Sequence, residues 1–256
     1  MIRFTLGLAV ALCLASSGAR AAQRPSVVPP DGEHEGYLWT AALHTPAGND
    51  ESSAAVVLRG TQRGTMQVAV TVDGDDKVYL AKSLADGSLD FVATRHEEVV
   101  PQLERLDHLA RIAGGASAAP KVGDTWKLEI EEPVPRGTIP VTLTARVTSL
   151  DGDTLRIEAD GDATGSIELP QPAATPAPSG GAGGGPGFPS GAPRTLNSDV
   201  DDGTAKKDDT INVRLKVHIA ASFADGRLVE AHGAQLASPT LNPKESVESD
   251  WAFTKS

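Results

Sequence analysis

The chain has one cysteine, Cys13, and it lies within the first 21 residues. If those residues are removed, no disulfide, thiol nucleophile or thiolate metal site remains. No Asn-x-Ser/Thr sequon occurs. Aromatic residues make up 4%, too few for the two aromatic girdles of a membrane barrel. Apart from a run near the amino terminus, no apolar stretch approaches membrane-spanning length. Basic charge is scarce too. Without Arg3 and Arg20 the chain holds 21 Lys+Arg against 34 Asp+Glu, a formal charge of −13. That excludes a general binder of nucleic acid or anionic membrane, which needs a basic face.

The amino-terminal run reads as an export signal. Arg3 supplies the positive start, Leu6 to Leu14 the apolar stretch, and Ala19-Arg20-Ala21 a small-x-small cleavage site. The expected mature protein begins near Ala22 and is periplasmic or secreted. The missing disulfides fit a bacterial rather than an animal exported protein. Val10-Ala11-Leu12-Cys13 places Leu12 where a lipobox needs a small residue, so lipidation at Cys13 is not expected.

What the chain has in abundance is hairpin chemistry. Asp-Gly occurs seven times, at Asp31, Asp73, Asp86, Asp151, Asp160, Asp202 and Asp225. Five of these lie between alternating apolar runs, the strongest short-range hairpin signal. Val141, Leu143, Ala145 and Val147 alternate with threonines and Arg146, and 66–72 and 211–219 behave alike. Such alternation implies sheets with one buried and one wet face. The fold class is therefore mainly β: antiparallel hairpins and meanders forming a curved sheet, sandwich or half-barrel, with one packed helix near 100–114. About a dozen strands are expected, with 154–159 and 165–169 separated by a turn at Asp160-Gly161. Pro101, the shared face of Leu103, Leu106, Ala110 and Ala113, and the stop at Gly114-Gly115 define the helix.

The organisation expected is a signal peptide at 1–21, a flexible leader at 22–35, an N-terminal β-meander at 36–95, a connecting helix at 98–115, and a C-terminal β region at 120–169 and 210–256. Residues 170–194 carry seven Pro and seven Gly, so 170–209 is expected to be a disordered Pro/Gly-rich and acidic loop. The order strand, Asp-Gly, strand, Asp-Gly, strand after Arg63-Gly64-Thr65 echoes that after Arg136-Gly137-Thr138. Meanders produce such echoes without duplication.

Catalytic signatures fail one by one. His34-Glu35 and His96-Glu97 lack a histidine four residues on, where Leu38 and Val100 stand. Gly115-Ala116-Ser117-Ala118-Ala119 is no nucleophile elbow, since it follows a helix and ends in alanine. Asp199-Val200-Asp201-Asp202-Gly203 has its glycine one position early for a calcium loop and no closing glutamate. The glycine tract has neither Rossmann nor Walker spacing. No catalytic, cofactor-binding or metal residue is assigned, and no cofactor is expected. Trp39, Trp126 and Trp251 read as core anchors. His218 and His232 are the one histidine pair that can meet, across the hairpin at Asp225-Gly226. Keeping Glu230 and His232 off the apolar face requires a register change there. A three-residue turn that pairs Phe223 with Arg227, with a bulge near Gly233, provides it and places the two histidines opposite each other.

The function expected is that of an exported, non-catalytic β protein with a binding or structural role in the envelope. One alternative is a periplasmic carrier of an apolar ligand such as a lipid. Another is a hydrolase whose carboxylates converge only in three dimensions.

Overall fold

The computed structural model describes residues 23–92, 100–134, 137–168 and 210–256. The signal segment, Cys13, His96-Glu97, the tract 170–209 and the Asp199–Gly203 turn lie outside these residues.

Among the described residues, eleven strands form one antiparallel sheet. The first meander is β1 (His34–Thr45), β2 (Gly48–Gly60), β3 (Thr65–Val72), β4 (Asp75–Ser83) and β5 (Leu89–Val92). The helix α1 (Pro101–Gly115) follows. The second meander is β6 (Thr125–Val134), β7 (Gly137–Asp151), β8 (Thr154–Glu168), β9 (Thr210–Ala224), β10 (Arg227–Pro239) and β11 (Val247–Lys255). The strand order is β5-β4-β3-β2-β1-β11-β10-β9-β8-β7-β6. Every neighbour is consecutive in sequence except β1 and β11, which join the two meanders. The two expected β regions are thus parts of one sheet.

α1 carries the chain from one open edge of the sheet to the other, and it touches both. Asp107 Oδ1 accepts the N–H of Leu89 on β5 at 2.6 Å. His108 bonds the backbone of Glu131 on β6. A sheet whose opposite edges meet one helix must curve around it. The architecture is therefore an open, curved sheet with its helix in the concavity.

The core fills that concave side. Leu103, Leu106, Leu109 and Ile112 of α1 are buried. So are the inward positions of the strands, among them Tyr37, Val56, Leu58, Met66, Val68, Leu143, Ala145, Leu215 and Phe253. On β7 the residues from Ile139 to Val147 alternate buried and exposed as their spacing requires. Trp39 and Trp251 are core anchors, 5% and 6% exposed; Trp126 packs partly buried against the core.

Three local expectations need correction. First, 154–159 and 165–169 are one strand, β8. Asp160-Gly161 makes no turn, because Gly161 is needed for close approach. A Cβ there would lie 2.7 Å from Leu143 Cδ2 and from the Thr142 carbonyl oxygen, and one on Gly165 would lie 2.7 Å from Ile139. The echo of the first meander breaks at this point.

Second, the Asp225-Gly226 turn has two residues, with Ala224 opposite Arg227. Both turn residues are left-handed, φ 51° and 74°, which suits the twist of a hairpin. The bulge falls between Leu228 and Glu230, not at Gly233. It achieves what the expected register was meant to achieve. Leu228 and Ala231 are buried while Glu230 and His232 are exposed. Gly233 faces inward beneath Trp251, whose ring lies 2.5 Å from where its Cβ would be.

Third, the middle of the leader expected to be flexible is packed. Ser26 bridges Arg227, Val27 is 2% exposed, and the Arg24 guanidinium donates to the Gly114 carbonyl at 2.6 Å. Pro29 and Pro30 lie so close to Gly60 that no side chain fits there. The segment crosses one end of the concavity, from the β9–β10 turn to the end of β2.

Candidate functional site

A polar cluster lies between α1 and the second meander, within the apolar interior. Leu103, Leu106 and Ala110 set the buried face of the helix, and the same face carries Arg105 and His108, 7% and 3% exposed. Glu132 projects inward from β6 and is fully buried. Arg105 Nη1 donates to Glu132 Oε1. His108 Nδ1 lies 3.6 Å from Glu132 Oε2, which has no hydrogen-bond partner. Gln235 on β10 approaches Arg105 at 3.4 Å and donates to the Pro133 carbonyl at 3.0 Å. The guanidinium also lies over the Trp251 ring, 5.7 Å from its centroid.

The electrostatics follow from burial. Desolvation raises the Glu132 carboxyl above its ordinary range, against the pull of Arg105. Desolvation, helped by the charge of Arg105, lowers His108 to about 3, so its imidazole is neutral at physiological pH. A buried ion pair of this kind is a weak source of net stability, because desolvation offsets most of the attraction. What it supplies is a fixed seat for the helix.

His108 also lines a cavity of about 470 Å³ at the seam between α1, β5 and the β6–β7 edge, together with Glu104, Asp107, Arg111, Glu129 and Glu131. Its carboxylates are partly committed: Asp107 accepts from Arg111 Nε at 2.8 Å as well as from Leu89.

At the end closed by the leader, Glu35 is 4% exposed. It accepts from Lys255 Nζ at 3.1 Å and lies 2.8 Å from the Tyr37 hydroxyl. That hydroxyl also lies 2.9 Å from the Leu228 carbonyl. Burial and the neighbouring carboxylate raise the Tyr37 phenol far above its ordinary range. This network ties β1, β10 and β11 together.

The outer, convex face carries a shallow hollow of about 730 Å³ across β2, β1, β11 and β10. Small residues such as Thr40, Ala42, Ser53, Ala234 and Ala252 floor it, and His232, Asp250 and Glu51 stand at its rim. Under the helix, Leu103, Leu106, Leu109 and Ile112 pack among the buried side chains of the strands, and a hollow of about 340 Å³ between α1 and the leader is lined by Val27, Val28, Ala110, Ala113 and Gly114.

Of the residues weighed from sequence, the structure brings His218 and His232 onto one face with ring centroids 6.3 Å apart. They are diagonal rather than opposite, since His218 faces Ala234 and His232 faces Ala220. His34 is exposed at the start of β1. Ser117 follows the helix, and its hydroxyl reaches Asp124 at 3.5 Å. Sequence reading passed over Arg105, His108 and Glu132. The signal was there: a charged residue at an inward position of β6, and two more on the apolar face of α1. Only the topology pairs them.

No family model matches the chain, and no curated protein matches it. Among solved structures, a DUF1329 family protein from Desulfovibrio piger is similar with a TM-score of 0.21 and 8% sequence identity, over 87% of this chain and 84% of that one.

Proposed function

We propose that this chain acts outside the cytoplasm as a non-catalytic binding protein of the cell envelope. The observation that carries this reading is the packing of core side chains from α1 and the strands on the concave side. Its charged groups serve structure: Arg105 is held by Glu132, and Glu35 by Lys255. The amino-terminal signal supports export, and the acidic surface supports a soluble state. N-terminal sequencing of the product from an exporting host should begin at Ala22 or within two residues of it. A product still beginning at Met1 overturns the compartment. Native mass spectrometry of the same preparation should show a retained protein partner or small molecule.

A second reading, a carrier for an apolar ligand, is favoured by the way α1 is seated. Between the helix and the leader, Val27, Val28, Ala110 and Ala113 line an open hollow of about 340 Å³. A lipid retained in the native spectrum supports the carrier. Its absence, with tight protection of α1 amides in hydrogen exchange, leaves the first reading.

A further inference from the structure

We propose that His218 and His232 form a two-imidazole site for a borderline divalent metal ion on the convex face, Cu(II) in preference to Ni(II) or Zn(II), with Asp160 positioning His218. Three observations converge. The bulge between Leu228 and Glu230 turns His232 outward onto the face that carries His218. The rings lie 6.3 Å apart between centroids, tilted by 48°, close enough for one ion to bridge them at ordinary metal–nitrogen lengths of about 2.0–2.1 Å. Their partners across the β9–β10 pair, Ala234 and Ala220, are small, so nothing bulky stands between the two rings on that side.

A fourth observation is the carboxylate behind His218. Asp160 on β8 lies directly opposite it, with Oδ1 2.7 Å from Nδ1. When Nδ1–H donates to that oxygen, the tautomer is set and the lone pair of Nε2 is free to ligate. An outer carboxylate on a ligating histidine is the usual support of a metal site. Asp160 is a turn former in sequence, but Gly161 keeps it within the strand and places it there.

Imidazole ligands without thiolates suit Cu(II), Ni(II) and Zn(II), and affinity for a given nitrogen site peaks at Cu(II). Among the described residues no group of three or more His, Cys, Asp or Glu gathers at metal-holding distance. The remaining coordination positions therefore belong to water or an exogenous ligand. His232 also lines the outer hollow, which gives such a ligand a surface to rest on.

The test uses the untagged mature protein in a non-coordinating buffer, titrated with CuCl2 by calorimetry, with electron paramagnetic resonance of the one-equivalent complex. The expected result is one Cu(II) per chain with two equatorial nitrogens from imidazole. His218→Ala or His232→Ala should each weaken binding by about 100-fold or more, because tethering two weak ligands gains roughly 10²–10⁴ in affinity. Asp160→Asn should weaken it by about 10–100-fold while both nitrogens remain in the spectrum, the signature of a positioning residue. His44→Ala, a histidine paired with Asp250 elsewhere on the same face, should bind as wild type. Failure of the wild type to bind, or wild-type binding by the His218→Ala His232→Ala double variant, overturns the proposal. All four positions are at least partly exposed, so circular dichroism should show every variant folded.

Discussion

Removing one partner of the Arg105–Glu132 pair should destabilise the protein far more than removing both. In Arg105→Met the helix keeps a side chain of similar length, but Glu132 loses its cation. That carboxyl is 0% exposed, and its second oxygen already lacks a partner. Breaking a buried pair in this way costs about 3–5 kcal/mol. The cation–π contact with Trp251 adds roughly 0.5–2 kcal/mol. With a urea m-value of about 2 kcal/mol/M, the midpoint should fall by about 1.8–3.5 M. Glu132→Leu strands Arg105 instead and should cost a comparable amount. In Arg105→Met Glu132→Leu the desolvation penalty disappears with both charges, and stability should return to within about 1 kcal/mol of wild type or exceed it. Urea unfolding of the three variants, followed by the fluorescence of Trp39 and Trp251, gives the coupling energy directly. The Arg105→Met deficit should also shrink in acid, because a protonated Glu132 needs no cation. Single variants that each cost under 1 kcal/mol, or a double variant as unstable as the singles combined, would refute the claim that these charges face one another in a dry interior.

His108 gives a pH dependence of defined sign. Its folded value, about 3, lies below its unfolded value, so the unfolded chain takes the proton first. The stability it contributes is full above about pH 6.5 and is lost as pH falls from there toward 3, on the order of 5 kcal/mol at most. Glu132, raised by burial, acts in the opposite sense: its contribution is present at low pH and lost as pH rises through its folded value. The comparison that isolates His108 is therefore wild type against His108→Gln, whose midpoint should decline less between pH 6.5 and 4; parallel curves refute the assignment. Gly233→Ala places a methyl against the Trp251 ring and should lower stability by about 1–3 kcal/mol, read as a lower thermal midpoint with an altered near-UV Trp signal. Asp225→Val forces a β-branched residue into a left-handed turn and should cost about 1–2 kcal/mol, whereas Asp225→Asn should be nearly neutral; equal midpoints for the two would argue against the two-residue turn.

Much of the fold is legible along the chain because its determinants are local. Alternation at Val141, Leu143, Ala145 and Val147 decides which face is buried, and Asp73-Gly74 and Asp225-Gly226 close hairpins because two adjacent residues can both turn left-handed. Pro101 and Gly114-Gly115 bracket the helix for reasons that need no neighbour. The mainly β class with a single packed helix follows from these alone. Tertiary structure decided what depends on contacts between distant residues. Gly161 reads as a turn until Leu143 and the Thr142 carbonyl are seen to occupy the space a side chain would need. The bulge sits at Leu228/Glu230 because one inserted residue is the least change that buries both Leu228 and Ala231 and frees Glu230, and local propensity does not rank that position above Gly233. Arg105, His108 and Glu132 meet only because α1 packs back against β6, the strand that follows it. Periodicity can mark a charged residue on an apolar face, but its counter-charge lies on another element, and the cost of leaving it unpaired is felt only once the chain has closed around it.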